Sequence, residues 1–167
     1  VARADKKNQG TSLRIIEAAM AVFAEEGFNG ARMDEIARQA RVNKATIYYH
    51  IGDKKALYTA VLHSVIGHIA EHIEREIATK ARSPEEKLRI YVKAFAQSVE
   101  RNPRMAPIMM RELAAGGEYF PSEIAQDFGR IIGIVTSILE EGYQQGVFIK
   151  ATPFILHMMV AGSVVLY

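Results

Sequence analysis

The sequence contains no cysteine and no tryptophan, and its longest nearly uncharged run is short. Without cysteine the chain has no disulfide framework, no thiolate metal site and no cysteine nucleophile. The nearly uncharged run covers residues 154–167 and includes His157, whereas a membrane-spanning helix needs about 20 apolar residues. Residues 1–9 are polar and basic, unlike the apolar core of a secretory signal. These absences favour a soluble, cytoplasmic protein with no membrane partner.

Motifs for catalysis and cofactor binding are missing as well. The sequence has no glycine-rich phosphate loop, no G-x-S-x-G turn and no His-Glu metal motif, so we expect no enzyme, cofactor or metal. His68 and His72 are four residues apart, a spacing that suits a metal, but their charged neighbours indicate a solvated helix face. The net charge is +2, with ten basic and seven acidic residues in residues 1–56. This excess is too small to indicate a nucleic-acid partner by itself.

What the sequence does have is helical periodicity along nearly its whole length. Apolar residues recur at steps of three and four, and no stretch alternates as a half-buried strand does. The first helix is predicted to begin at Thr11 or Ser12 and to stop at Gly27. Two short helices are predicted over residues 32–40 and 44–50, and a long helix from Asp53. Later caps and breaks bring the total to about eight helices, which predicts an all-α fold.

The second and third helices and the turn that joins them have the spacing of a helix-turn-helix. Apolar residues on both helices face inward, and a polar and aromatic set on the third helix faces outward: Lys44, Thr46, Tyr48, Tyr49 and His50. Because consecutive helical positions differ by about 100°, the two tyrosines cannot both face the core, which favours DNA contact for at least one. Such a row suits a DNA major groove. Lys54, Lys55 and the free amides expected at Thr11 and Ser12 would lie beside phosphates.

Residues 15–61 closely resemble the N-terminal domain of TetR-family transcriptional regulators. The family pattern F-x-x-x-G-F/Y corresponds here to residues 23–28, and the pattern T/M-x-x-I-A to residues 33–37. The pattern A-x-V-S-x-x-T-L-Y-Y-x-F corresponds to residues 40–51. The departures are small: Asn43 replaces the usual Ser, and both can cap a helix, while Ile51 replaces the usual Phe and Gly52 adds slack.

The resemblance implies an all-helical homodimer whose N-terminal helix-turn-helix domains bind the two halves of a palindromic double-stranded DNA operator. It also implies that the C-terminal domain binds a small-molecule effector and pairs the subunits through its last two helices. Carried over by position, the implied DNA-binding residues are Arg32, Met33, Lys44, Ala45, Thr46, Tyr48, Tyr49, His50 and Lys54. Of these, residues 44–46 are expected to contact bases, with Ala45 small enough to meet a thymine methyl, and residues 49, 50 and 54 to contact the backbone.

Residues 1–52 are accordingly predicted to form an N-terminal arm and the DNA-binding domain, and residues 53–167 the ligand-binding and dimerisation bundle. The chain starts at Val1 and ends inside an apolar run, so we expect it to be a piece of a longer chain or to pair there with another copy. Candidate effector-binding residues in the bundle are Tyr91, Phe95, Met109, Met110 and Phe128. Core filling explains these residues equally well. Glu112 either faces such a cavity or pairs with Arg111.

The sequence therefore predicts a sequence-specific transcriptional regulator that a largely hydrophobic effector releases from DNA. Repression is the commoner mode of regulation in the family that the sequence resembles. The effector would act by shifting the long helix that starts at Asp53. The alternative is a helical small-molecule or protein-binding module without specific DNA binding. A third hypothesis is a constitutive DNA-binding protein with no preference between sequences.

Overall fold

The computed structural model describes the backbone of residues 2–165 and the side chains of residues 9–165. These residues form eight helices and no strand, which confirms the all-α prediction. The helices are α1 (Ala2–Gly30), α2 (Met33–Ala40), α3 (Lys44–His50), α4 (Lys54–Lys80), α5 (Pro84–Arg101), α6 (Met105–Ala114), α7 (Ser122–Gln144) and α8 (Pro153–Val165). Within the described ranges, no helix is both long enough and apolar enough to cross a membrane.

Helix α1 begins earlier than predicted. It starts at Ala2, so Thr11 and Ser12 lie inside the helix and do not cap it. The physical reason is that residues 2–9 are mostly good helix formers, and the single Gly10 costs only about 1 kcal/mol. The amides predicted to be free for a phosphate at Thr11 and Ser12 are therefore not at a helix terminus. The predicted break at Gly27 is confirmed, because its φ of 70° and ψ of 178° interrupt the helical geometry before Gly30.

The described residues form two compact units. The first comprises the chain up to Ser64 together with Arg104–Pro121, and the second comprises Val65–Pro103 together with the chain from Ser122 onward. The units are defined by packing, which places the start of α4 and all of α6 with the N-terminal helices. The predicted boundary after residue 52 instead divides the chain by function, and it stays a prediction.

The first unit is built on an apolar core shared by α1, α2, α3 and the start of α4. Its fully buried side chains include Ile15, Phe23, Ile36, Ile47 and Leu57. Helix α6 is attached to the end of α1 by Arg111, which donates to the carbonyl oxygens of Ala24 and Glu25 at 3.4 and 2.8 Å. Burial of this shared apolar surface is what holds the short helices α2 and α3, which are too short to be stable alone.

The second unit packs α5, α7 and α8 with the C-terminal part of α4. Ser83 caps α5, since its hydroxyl accepts from the amide of Glu86 at 3.3 Å. Behind α7, Phe148 folds back over Gly142, whose carbonyl oxygen accepts from the amides of Val147 and Phe148. The turn that follows α7 thus places the ring of Phe148 on the buried Gly142.

Candidate nucleic-acid interface

The turn between α2 and α3 has well-defined backbone geometry. Arg41 ends α2 in the left-handed region with φ of 55°, and its amide donates to the carbonyl oxygen of Arg38 at 3.2 Å. The amide of Val42 then donates to Ala37 at 3.0 Å, which completes the helix end. Asn43 is extended and caps α3. The predicted tight turn of residues 41–43 is present, and it fixes where α3 begins.

Helix α3 presents a sharply divided surface. Ile47 is completely buried, whereas Tyr49 is 82% exposed and Tyr48 is 48% exposed. Lys44 and Ala45 are also exposed, and Thr46 and His50 are half-buried. The rings of Tyr49 and His50 meet edge to face, with centroids 5.3 Å apart. All five residues of the predicted outward-facing set therefore lie on α3 and are exposed or half-buried, while their contact with DNA stays a prediction.

Asn43 does more than cap the helix. Its side-chain Oδ1 accepts two hydrogen bonds from Thr46, one from the backbone amide and one from the hydroxyl, each at 2.7 Å. Asn43 was predicted as a cap, but the bond to the Thr46 hydroxyl was not. Because the bonded groups are only three residues apart, their proximity was implied once Asn43 was identified as the cap.

At the start of α2, the two predicted residues differ in their surroundings. Arg32 is exposed and adopts the extended backbone that precedes a helix, whereas Met33 is only 8% exposed and packs in the core. The Met33 side chain is therefore not presented to a ligand. A contact from Met33 would have to come from its backbone amide, which lies in the first turn of α2, where amides have no acceptor within their own helix.

Lys54 lies at the start of α4 but is already engaged. Its Nζ donates to the carbonyl oxygen of Asn29 at 3.1 Å and stands 5.0 Å from the centroid of the Phe28 ring. Burial lowers the pKa of this ammonium group from its ordinary value. Lys54 therefore holds the end of α1, and its predicted contact with a phosphate would have to coexist with that role. Its neighbour Lys55 is exposed.

Acidic residues of α2 are paired with cations beside α3. Lys44 Nζ lies 3.1 Å from Asp34 Oδ2, and both side chains are substantially exposed. Arg38 binds Glu35 with two hydrogen bonds, at 2.8 and 2.6 Å, and these lower the pKa of the Glu35 carboxyl to about 2. The Asp34–Lys44 pair was not predicted, because residues ten positions apart on different helices give no periodic signal.

The predicted effector-binding residues are divided between the two units. In the second unit, Tyr91, Phe95 and Phe128 surround His157, with ring centroids 6.4, 5.4 and 5.2 Å from the imidazole. The Tyr91 hydroxyl and His157 Nδ1 are hydrogen bonded at 2.6 Å. Burial raises the pKa of Tyr91 and lowers that of His157, so the two groups form a neutral pair at pH 7.

Helix α6, in the first unit, carries the two predicted methionines. Met109 is half-buried and Met110 is 46% exposed. The adjacent Glu112 is only 4% exposed, and its Oε1 accepts from the Tyr58 hydroxyl at 2.6 Å. Of the two interpretations of Glu112, pairing with Arg111 is not the arrangement observed, because Arg111 donates to the end of α1.

Two protein-family models match the chain. Residues 15–61 match the model described as bacterial regulatory proteins, tetR family. Residues 81–166 match the model described as tetracyclin repressor-like, C-terminal domain. Together these matches cover the helix-turn-helix with its supporting helices and most of the second unit.

Individual relatives agree with these models. The transcriptional repressor NicS of Pseudomonas putida is 29% identical over 136 residues, which are 80% of this chain and 64% of NicS. The chain thus matches less than two thirds of that relative's length. The fatty acid metabolism regulator protein of Bacillus subtilis is 27% identical over 141 residues, 84% of this chain and 72% of the relative. The solved structure of FadR from Bacillus subtilis in complex with stearoyl-CoA has a TM-score of 0.72 and 26% identity, over 92% of this chain and 83% of that one.

Proposed function

The chain belongs to the TetR family of bacterial regulatory proteins, and from this membership we propose that it is a sequence-specific DNA-binding transcriptional regulator. Its action is repression of a promoter with a palindromic operator, relieved when a small, largely hydrophobic effector binds the C-terminal bundle. The observation that carries the proposal is the exposed surface of α3, where Tyr49 is 82% exposed beside the exposed Lys44 and Ala45.

An aromatic ring with that exposure on a short helix contributes almost nothing to the core of the protein. Tyr49 and His50 supply polar atoms at the ends of flat rings, which suit the sugar-phosphate backbone. Lys44, Ala45 and Thr46 occupy the first turn of α3, the part of a recognition helix that meets base edges. We therefore assign base contact to residues 44–46 and backbone contact to Tyr48, Tyr49 and His50, with Arg32 and Lys54 at the margins.

A palindromic operator needs two copies of this chain. Helix α8 supports such pairing, because its apolar residues Phe154, Ile155, Met158 and Met159 are 51%, 57%, 38% and 65% exposed. Apolar side chains grouped on one helix in this way are typical of a protein–protein interface. The partner that we propose for α8 is a second copy of the chain.

For the effector, the relatives suggest the first compound to test. FadR is in complex with stearoyl-CoA, so a long-chain acyl-CoA is our leading candidate. Tyr91, Phe95 and Phe128 are the proposed contacts in the second unit, because their rings already surround the buried His157. Met109 and Met110 remain predicted contacts.

The experiment is fluorescence anisotropy of the protein with DNA from upstream of its own gene, across a salt series and with scrambled competitor. We expect binding that scrambled DNA does not displace. Tyr49→Ala and Lys44→Ala should each weaken it about tenfold or more, and Lys44→Ala should also relax the base preference at the position that Lys44 contacts. Lys93→Ala, at an exposed position of α5, is the matched control and should change neither quantity.

Displacement of the protein by scrambled DNA as readily as by the upstream fragment would contradict the assignment of a specific operator there. Equal effects of Lys44→Ala and Lys93→Ala would contradict the assignment of α3 as the DNA-contacting helix. Stearoyl-CoA should raise the dissociation constant for operator DNA; binding of stearoyl-CoA without such a change would refute its role as the effector.

A further inference from the structure

We propose that Asn43 fixes the Thr46 hydroxyl as a hydrogen-bond acceptor, and that Thr46 thereby selects an operator base with an exocyclic amino group, adenine or cytosine. This inference rests on the proposed function, since it names what one residue of the DNA-contacting helix recognises. It assigns Thr46 to base selection and excludes it from donating to phosphate.

The direction of the hydrogen bond follows from the two bonds that meet at Asn43. The backbone amide of Thr46 can only donate, so the Asn43 atom 2.7 Å from it must be the carbonyl oxygen Oδ1. The Thr46 hydroxyl lies 2.7 Å from the same Oδ1. Because a carbonyl oxygen only accepts, the hydroxyl must donate its one hydrogen to Asn43.

Thr46 Oγ1 is then left with lone pairs and no hydrogen for a ligand. A phosphate oxygen only accepts, so it gains nothing from Thr46 unless the bond to Asn43 is broken. In the major groove the donors are the N6 amino group of adenine and the N4 amino group of cytosine, whereas guanine and thymine present the acceptors O6 and O4. An acceptor-only hydroxyl therefore distinguishes the two amino bases from the two keto bases.

The neighbours of Thr46 leave room for such a base. The preceding residue is the exposed Ala45, whose side chain is a single methyl group. Lys44 is drawn toward Asp34 by the ion pair at 3.1 Å. Thr46 itself is half-buried and lies in the first turn of α3, so its position is fixed by the helix and its rotamer by Asn43.

The test begins with selection of operator sequences from randomised DNA by the full chain, followed by anisotropy on operators that differ at single positions. For the natural sequence we expect one position in each half-site that prefers adenine or cytosine by about 3- to 10-fold, the range of one hydrogen bond. Thr46→Val keeps the shape and removes the hydroxyl, and should abolish this preference without changing the salt slope. Thr46→Ser keeps the hydroxyl and should retain the preference.

Asn43→Ser tests the positioning role of Asn43. Serine also caps helices, so circular dichroism should report the same helix content. Its hydroxyl can donate as well as accept, which frees the Thr46 hydroxyl to rotate and should reduce the preference for amino bases several-fold.

The outcomes separate the two proposals. If Thr46→Val weakens binding to every operator equally, Thr46 contacts the backbone and the inference is wrong, while the regulator function stands. If Thr46→Val changes nothing, Thr46 serves only to cap the helix and the inference is also wrong. A natural chain that selects no sequence at all overturns the proposed function and the inference together.

Discussion

Gly142 is the residue at which one added methyl group tests the packing of the second unit most directly. It is buried in α7, and a Cβ built there would lie 2.0 Å from Phe148 Cδ2 and 2.7 Å from Cγ. The amides of Val147 and Phe148 both donate to the Gly142 carbonyl oxygen, at 2.8 and 3.1 Å, so the aromatic residue is tied to this site by its backbone. The ring must leave if Gly142 becomes alanine.

The expected magnitude follows from two opposed effects. Alanine is favoured over glycine inside a helix by about 0.5–1 kcal/mol. Displacing a packed ring costs about 1–3 kcal/mol. Gly142→Ala should therefore lower the free energy of unfolding, whereas Gly129→Ala in the same helix, where a Cβ would meet nothing within 4 Å, should raise it. The difference between the two variants isolates the displacement of Phe148.

The measurement is urea unfolding at one fixed protein concentration. Unfolding is followed by far-ultraviolet circular dichroism, because the chain has no tryptophan whose fluorescence could report on it. A double-mutant cycle completes the design. In a Phe148→Ala background, Gly142→Ala should become stabilising by about 0.5–1 kcal/mol, as at Gly129. If Gly142→Ala stabilises the chain that retains Phe148 as much as Gly129→Ala does, the ring does not pack on Gly142 and the reasoning fails.

Four further predictions concern buried pairs and surface charge. Tyr91→Phe should lower the free energy of unfolding by about 1–3 kcal/mol in the same urea assay, because it leaves a buried imidazole nitrogen unpaired. Burial also lowers the pKa of His157, so the unfolded chain takes up a proton that the folded chain does not as pH falls below about 6.5. The free energy of unfolding should therefore fall over that pH range, and it should fall less with His157→Gln. If the pH profile of that variant equals that of the natural sequence, His157 is not the group responsible. Tyr58→Phe should cost about 1–3 kcal/mol, and the double variant with Glu112→Leu less than the sum of the single changes, by the same titration. Asp34→Asn should tighten operator binding roughly 3- to 10-fold at low salt, measured by anisotropy, since it removes a negative charge beside the recognition helix; no change would mean that this edge of α2 lies away from the DNA.

Local signals in the sequence were sufficient for most of the helix boundaries. Asn43, Asp53 and Ser83 each accept a hydrogen bond from an amide three residues later, so the cap and its partner are close in sequence. The start of α1 was predicted wrongly for a related reason: Thr11 and Ser12 are good caps in isolation, but the helix-forming residues before them continue the helix to Ala2.

Contacts between distant residues could not be predicted in the same way. The Tyr91–His157 pair joins residues 66 positions apart, and the Tyr58–Glu112 pair residues 54 apart. Each depends on how helices pack, which periodicity leaves open. For the same reason the five predicted effector-binding residues shared an apolar character, yet only Tyr91, Phe95 and Phe128 lie together around one histidine.

The attachment of α6 to the end of α1 has a consequence for the order in which the chain folds during synthesis. The carbonyl oxygens of Ala24 and Glu25 are bonded by Arg111, some 86 residues later, and Phe28 stacks on Tyr119 at 5.1 Å. When the ribosome has made residues 1–64, those partners do not yet exist. At about 5–20 residues per second, the segment up to Pro121 takes roughly 3–12 seconds to appear. For that interval Phe28 has its contacts with Tyr58 and Lys54 but not with Tyr119, so the nascent first unit completes its packing only after residues 65–103 of the second unit have been synthesised.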